Sequence, residues 1–185
     1  MNKQIEKISS AAKNYAKALD ELAQSGAVNY DILDADMRTL YDVLSGSTDL
    51  QTVMENPSIN IETKFDIINT IFQGKVSSEI INFLKILIEK KRISEFPQIY
   101  AEFKKNLYNR KNIQPATIVS AVELNEMQKQ LIVEKLSKKL NKTIISNWII
   151  DNNIIAGIQI KIDDNILDLS LRHRIEKLNK SLILK

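Results

Sequence analysis

The chain has no cysteine in its 185 residues. Disulfides, thiolate metal sites and a cysteine nucleophile are therefore excluded, and a reducing compartment is compatible with the composition. Glycine (4) and proline (3) are scarce as well, so chain breaks are few and long elements, helices above all, are expected. Four scattered glycines cannot build a phosphate-cradling P-loop or a dinucleotide-binding loop. The one histidine, His173, stands between two arginines, and no G-x-S-x-G accompanies it, so the material for a hydrolytic triad is missing. No apolar run approaches the roughly 20 residues that a membrane span requires. The N-terminus carries Lys3 and Lys7 but no continuous apolar stretch, and it does not read as a secretory signal.

What is present describes an ordinary soluble protein, 44% hydrophobic and 26% charged, long enough for one domain or two small ones. The net charge of +3 is unevenly shared: residues 1–110 carry 14 Lys and Arg against 15 Asp and Glu, and residues 111–185 carry 12 against 8. A basic C-terminal part suits an acidic partner, although a solvated lysine-rich face would read the same way.

The first half reads as helices. Ile5, Ile8, Ala12, Tyr15, Leu19 and Leu22 step by three and four, the seam of an amphipathic helix. A second stripe, Ala11, Tyr15, Ala18 and Leu22, lies partly beside it, and its alanines would let another helix approach closely. A second helix follows from Tyr30 to Leu44, with Leu33, Met37, Leu40 and Leu44 inward. A short third carries Leu50, Val53 and Met54, opened by Thr48 or Asp49 and ended by Asn56-Pro57. Asn60 caps a fourth, with Phe65, Ile68 and Phe72 inward. The fifth, opened by Ser77 or Ser78, is apolar from Ile80 to Ile88 except at Asn82 and Lys85. A helix apolar on most sides sits inside a bundle or under a docked partner. A sixth has Pro97 in its first turn and Ile99, Phe103 and Leu107 inward. The fold class expected here is an all-α six-helix bundle, residues 1–110, with no internal repeat.

Asn109–Pro115 is polar, basic and ends in proline, and marks the boundary to a small α+β domain, residues 111–185. Ala116–Val122 and Thr143–Ile150 read as strands around a helix that starts at Asn125 and carries Met127, Leu131, Val133, Leu136 and Leu140 as its apolar positions. Ile154, Ala156, Ile158, Ile160 and Ile162 alternate as one strand face, interrupted at Gly157, where a side chain would obstruct a close neighbour or a bulge. Asp151-Asn152-Asn153 is read as the turn of a hairpin between the last two. Asp163, Asp164 and Asn165 turn the chain into a short return strand at Ile166 and Leu167. Leu171, Ile175, Leu178 and Leu182 then recur at helical spacing, with Ser170 placed to cap the first turn.

Nothing here carries catalysis, and neither a cofactor nor a metal is expected; Asp163-Asp164 reads as turn chemistry before it reads as a Mg²⁺ site. A small basic nucleic-acid-binding protein is the alternative reading. Single-strand recognition, however, requires aromatic platforms, and the second domain offers only Trp148.

Three stretches taken together carry a family resemblance. They are Tyr15-Ala16-Lys17-Ala18-Leu19 with Leu22-Ala23; Phe83–Ile93, FLKILIEKKRI, followed by Glu95, Pro97, Ile99 and Phe103; and Ala156-Gly157 followed by Asp164, Asp168, Ser170, Arg172, Arg174 and Leu178. Val119-Ser120-Ala121 with Leu124 and Gln128 adds to them. In this order and at these spacings the chain resembles the delta subunit of F-type ATP synthases, called the oligomycin-sensitivity-conferring protein in mitochondria. It departs from the family at Lys91, Asp163 and Leu169, where glycine is common.

The resemblance implies a non-catalytic stator connector in the peripheral stalk. Its N-terminal domain would bind the N-terminal helices of the alpha subunits, in a groove between the first and fifth helices. Its C-terminal domain would bind the end of the b subunits (b or b/b′), and the charge of that domain adds the expectation of acidic residues on them. The location implied is peripheral to the membrane through the complex, on the cytoplasmic side of a bacterial inner membrane or the stromal side of a thylakoid. No nucleic-acid partner is expected. The groove candidates are Ala11, Tyr15, Ala18, Leu22 and Ile86, the last because it lies on a different side of its helix from Leu84 and Leu87. Gly157, Asp164, Asp168, Ser170, Arg172 and Arg174 form the structural signature. Arg172 and Arg174 fall in a first helical turn, against the helix dipole, so Asp164 and Asp168 are expected to offset them in an internal clasp.

Overall fold

The structure, a computed structural model, describes residues 9–175. Ile5, Ile8, Leu178 and Leu182 lie outside the described residues. The chain divides into two compact units, Met1–Leu107 and Tyr108–Lys185, and the architecture is α+β, with helices followed by a four-stranded sheet.

The helices of the first unit are α1 (Ser10–Gln24), α2 (Tyr30–Gly46), α3 (Thr48–Glu55), α4 (Ile61–Phe72), α5 (Ser78–Glu89) and α6 (Phe96–Arg110). They share one core, in which Leu33, Met37, Ile68, Phe72, Phe96 and Phe103 are fully enclosed. The inward positions expected on α2 and α6 are buried as read. On α1 the buried stripe is Ala12, Ala16, Leu19 and Ala23, so Tyr15 and Leu22 stand half-buried at its flank rather than within it. Three of the four buried side chains are single methyl groups, and all four belong to the shared core.

Helix ends in this unit are completed partly by local caps and partly by side chains of other helices. Ser47, not Thr48 or Asp49, caps α3, accepting from the Leu50 N–H at 3.2 Å. At the other end of α3, Lys64 reaches over from α4. It is 7% exposed and its ammonium donates to the Met54 and Asn56 carbonyls at 2.7 and 2.8 Å, a cation at the negative pole of a helix. The cap residue of α5, Ser77, makes no side-chain capping bond itself. Instead its N–H and its hydroxyl both donate to the buried Asp36 carboxylate of α2, at 2.9 and 2.6 Å.

The C-terminus of α5 closes by two bonds. The Arg92 N–H donates to the Leu87 carbonyl at 2.8 Å and the Lys91 N–H to that of Ile88 at 3.0 Å. This Schellman arrangement requires a left-handed residue, and Lys91 has φ 55°. A glycine there would hold that conformation without strain.

In the second unit β1 (Ile113–Ser120) pairs in parallel with β2 (Thr143–Ile150), and α7 (Glu126–Leu140) makes the crossover that a parallel pair needs. A full capping box between Asn125 and Gln128 opens α7. β3 (Ile158–Ile162) pairs antiparallel with β1, and β4 (Asn165–Asp168) antiparallel with β3, giving the order β2-β1-β3-β4. Ala116, Ile118, Ile144 and Ile160 form one face of the sheet, with Leu136, Ile132 and Val133 of α7 packed on it.

Several expectations for this unit are corrected. β2 and β3 are not a hairpin, because β1 lies between them. The Asp151 N–H bonds to the Ser120 carbonyl at 2.9 Å, and the turn Asn152–Ile154 carries the chain past the end of β1 to its far side. Ile155 takes φ 67° and Gly157 φ 94° in that passage, so the strand face begins at Ile158 and not at Ile154. β1 itself begins at Ile113, and Pro115 falls before the β3 ladder, which starts at Thr117. Met127 and Leu131 are exposed rather than inward, since α7 turns Ile132, Val133 and Leu136 to the sheet.

Replacing Lys91 by glycine should stabilise the protein by about 1 kcal/mol by relieving the left-handed strain. Urea unfolding would show a higher midpoint at unchanged slope.

Candidate partner-docking site

Burial divides α5 sharply. Ile80, Leu84, Leu87 and Ile88 are buried, whereas Ile86 is 46% exposed. Phe83, three residues before Ile86 and so on the same side, is half-buried. Its ring meets that of Tyr15 edge to face, with centroids 6.0 Å apart and planes at 74°, the geometry favoured by aromatic quadrupoles. Along α1, Ala11, Tyr15 and Leu22 are half-buried and Ala18 is exposed. Both helices therefore keep their most apolar rows in the core and present a second, partly open apolar row. Tyr15 and Phe83 join these rows. Phe83 was not among the residues expected to line a groove, although its three-residue spacing from Ile86 was the available signal.

Lys85 on the same helix folds over the Phe65 ring, 5.7 Å from its centroid, and so covers α4 with its stem and charge. The open row of α5 is thereby left to Phe83 and Ile86.

In the second unit the signature residues close a corner of backbone. Gly157 lies so near the following chain that a Cβ there would meet the Leu169 carbonyl oxygen at 2.6 Å and the Ser170 Cα at 3.1 Å. The Leu169 and Leu171 N–H groups donate to the Ile158 and Ala156 carbonyls at 3.0 and 2.8 Å, continuing the β3–β4 ladder past Asp168. Ser170, 2% exposed, caps the helical turn at residues 171–175 as expected, its hydroxyl accepting from the His173 N–H at 3.2 Å.

Asp168 accepts from the Ser170 N–H at 2.9 Å and from Gln159 Nε2 at 3.1 Å. The Ser170 hydroxyl first, then its N–H, hold the Asp168 carboxyl below the usual aspartate range, with Gln159 and His173 adding to the effect. The corner is thus tied through a hydroxyl and an amide. Asp164 is exposed in the β3–β4 turn, and Arg172 and Arg174 are exposed on the helical turn.

Among the described residues no three His, Cys, Asp or Glu side chains converge as a metal would require. No helix there is long and apolar enough to cross a membrane. Trp148, the one aromatic ring a nucleic-acid platform could use, is half-buried against the β1/α7 core and donates to Ser146 Oγ at 3.0 Å.

The first unit thus has a partly open apolar row shared by two helices above a completed core, and the second a closed backbone corner. Comparison with known proteins gives the particular family. The chain matches the family model described as ATP synthase delta (OSCP) subunit over residues 11–182. It is 34% identical over 173 residues to the ATP synthase subunit delta of Chlorobaculum tepidum, covering 94% of this chain and 95% of that one. It is 30% identical to that of Clostridium botulinum (strain Langeland), covering 92% and 95%. Its fold is similar to that of a chain in the Toxoplasma gondii mitochondrial ATP synthase hexamer, with a TM-score of 0.73 at 17% identity over 95% of this chain and 98% of that one. The chain belongs to the ATP synthase delta (OSCP) subunit family, a structural part of the ATP synthase, and its role is that of a peripheral-stalk subunit. The comparisons lend nothing to a nucleic-acid-binding function.

Gly157→Ala should destabilise the protein by roughly 2–4 kcal/mol, because it combines a positive φ with a backbone clash that no side-chain rotation relieves. Thermal unfolding of the variant tests this. The lowered Asp168 pKa has a signed consequence. Its contribution is fully present above the unfolded aspartate value and is lost as pH falls through the lower, folded one. Protection of the Ser170 amide from exchange should therefore fall only in that acidic window, and Asp168→Ala, which removes the acceptor, should lower it at every pH.

Proposed function

We propose that this chain connects the catalytic headpiece of the ATP synthase to the b subunits (b or b/b′) of the peripheral stalk and resists the torque of the rotor. In this reading residues 1–110 are a six-helix bundle that receives an N-terminal helix of an alpha subunit between α1 and α5. Residues 111–185 receive the end of the b subunits, their net +4 meeting acidic side chains there. The protein is held beside the membrane by the complex, on the cytoplasmic face of a bacterial inner membrane or the stromal face of a thylakoid.

The observation that carries the reading is the paired open row, with Ala11, Tyr15, Ala18 and Leu22 on α1 and Phe83 and Ile86 on α5, joined at the Tyr15–Phe83 contact. A groove of this kind takes the apolar face of an amphipathic helix. Ala18 is its small position, so bulk there fills the space that the incoming helix would use.

Ala18→Trp should leave the fold intact, since the side chain points outward, and lower affinity for an alpha-subunit N-terminal peptide roughly tenfold or more. Calorimetry with the folded variant measures this, and an unchanged affinity would remove Ala18 from the site. Co-purification of the alpha and b subunits with the tagged chain tests the connection as a whole.

A further inference from the structure

We infer that Ser9, Glu95 and Arg92 form a clamp that fixes the spacing of α1 and α5 and thereby the affinity of the groove between them. The inference rests on the α1/α5 reading given above and names the residues that regulate that same site.

The Ser9 hydroxyl accepts from the Ala12 N–H at 3.0 Å, capping α1, and with its own proton donates to Glu95 Oε2 at 2.5 Å. The other carboxylate oxygen of Glu95 takes a hydrogen bond from Arg92 Nη1 at 2.9 Å. The Ser9 N–H, a backbone donor that α1 cannot satisfy, goes to Gln98 Oε1 at 3.2 Å. Arg92 is itself part of the closing turn of α5, because its N–H is bonded to the Leu87 carbonyl. An unbroken chain of donors and acceptors thus runs from the N-terminal end of α1 to the C-terminal end of α5, and it does not pass through the apolar core.

Two of these links engage a charged partner, which makes them short and directional. Members of such a chain also polarise one another. The Tyr15–Phe83 ring contact ties the same two helices a turn and a half further along α1. Two fixed points set both the separation and the angle of a helix pair. Ala11, the first residue of the open row, lies within the turn that Ser9 caps, so the clamp acts at the mouth of the groove. A groove held at its bound width binds without first paying to order itself. The core row of Ala12, Ala16, Leu19 and Ala23 keeps α1 folded on its neighbours when the clamp is cut. Affinity, more than stability, is therefore the quantity that should respond.

The experiment uses the full chain and a synthetic peptide of the alpha-subunit N-terminus, with Kd read by calorimetry and folding checked by circular dichroism. Ser9→Ala and Glu95→Ala should each raise Kd about tenfold, the range expected for one lost charge-assisted hydrogen bond. The double variant should be little worse than either alone, and Ser9→Thr, which keeps cap and hydroxyl, should bind as the original does. Glu95→Gln, which keeps volume and loses the charge, serves as the milder probe and should fall between. Folded Ser9→Ala and Glu95→Gln proteins that bind with unchanged Kd would overturn the clamp. If Ala18→Trp still weakens the peptide in that case, the groove stands without it; if neither acts, the groove reading falls as well.

Discussion

A helix as apolar as α5 has to be covered on nearly every side, and most of the first unit is arranged to do so. Its twelve residues include Ile80, Leu84, Leu87 and Ile88 on the fully enclosed side, with Ile81 and Phe83 half-covered. Enclosing an aliphatic side chain is worth about 1.5–3 kcal/mol, so position and rotation of α5 are set by burial before any polar contact is made. What burial leaves over is Ile86 and the edge of Phe83. A monomer gains nothing by exposing an isoleucine beside an aromatic pair. In the proposed groove the same apolar row would complete its burial against the incoming helix.

Burial, however, fixes rotation better than it fixes helix ends, and polar groups do that part. Three ends in the first unit are finished by a charged side chain from elsewhere: Asp36 at the start of α5, Lys64 at the end of α3 and Glu95 at the cap of α1. A buried charge without partners would be costly. Asp36 and Lys64 each make two hydrogen bonds to another helix end, and Glu95 makes one to Ser9 at the start of α1 and one to Arg92 beside the end of α5. The unit therefore has apolar interactions that hold the helices together and ionic ones that locate their ends. A part that transmits force without deforming needs both.

How much of this was legible in the sequence follows from the range of each interaction. The periodicity of α2 and the β-branched run of β2 are local, and Thr143–Ile150 is the strand as read. The close approach at Gly157 was legible too, because only glycine tolerates it. The caps from Asp36 and Glu95 were not legible, since their partners lie 41 and 86 residues away. The sheet order failed for a related reason. A short Asp-Asn-Asn turn reads as a hairpin when the next strand is assumed to lie beside the last. β3 instead takes the free side of β1, and of the two positive-φ residues in the crossing only Gly157 was readable as such, since a β-branched residue like Ile155 rarely adopts that conformation. On α1 the split into a closed and an open row was visible as two overlapping stripes. Which of them faces the core was decided by neighbours that periodicity does not name.

The same division of labour explains why the most recognisable run of the chain is not part of the proposed groove. From Ala156 to Arg174, the backbone of one segment lies against that of another at Gly157, and Ser170 and Asp168 use their side chains to satisfy the first N–H groups of the next helix. Such a corner constrains residue type tightly: glycine for contact, serine for a buried cap, aspartate for a carboxylate held ionised by that serine. A docking row constrains it loosely, because any apolar side chain of suitable size covers a helix. A signature of this kind marks a position the fold cannot give up, and the surface that meets the partner has to be found from burial instead.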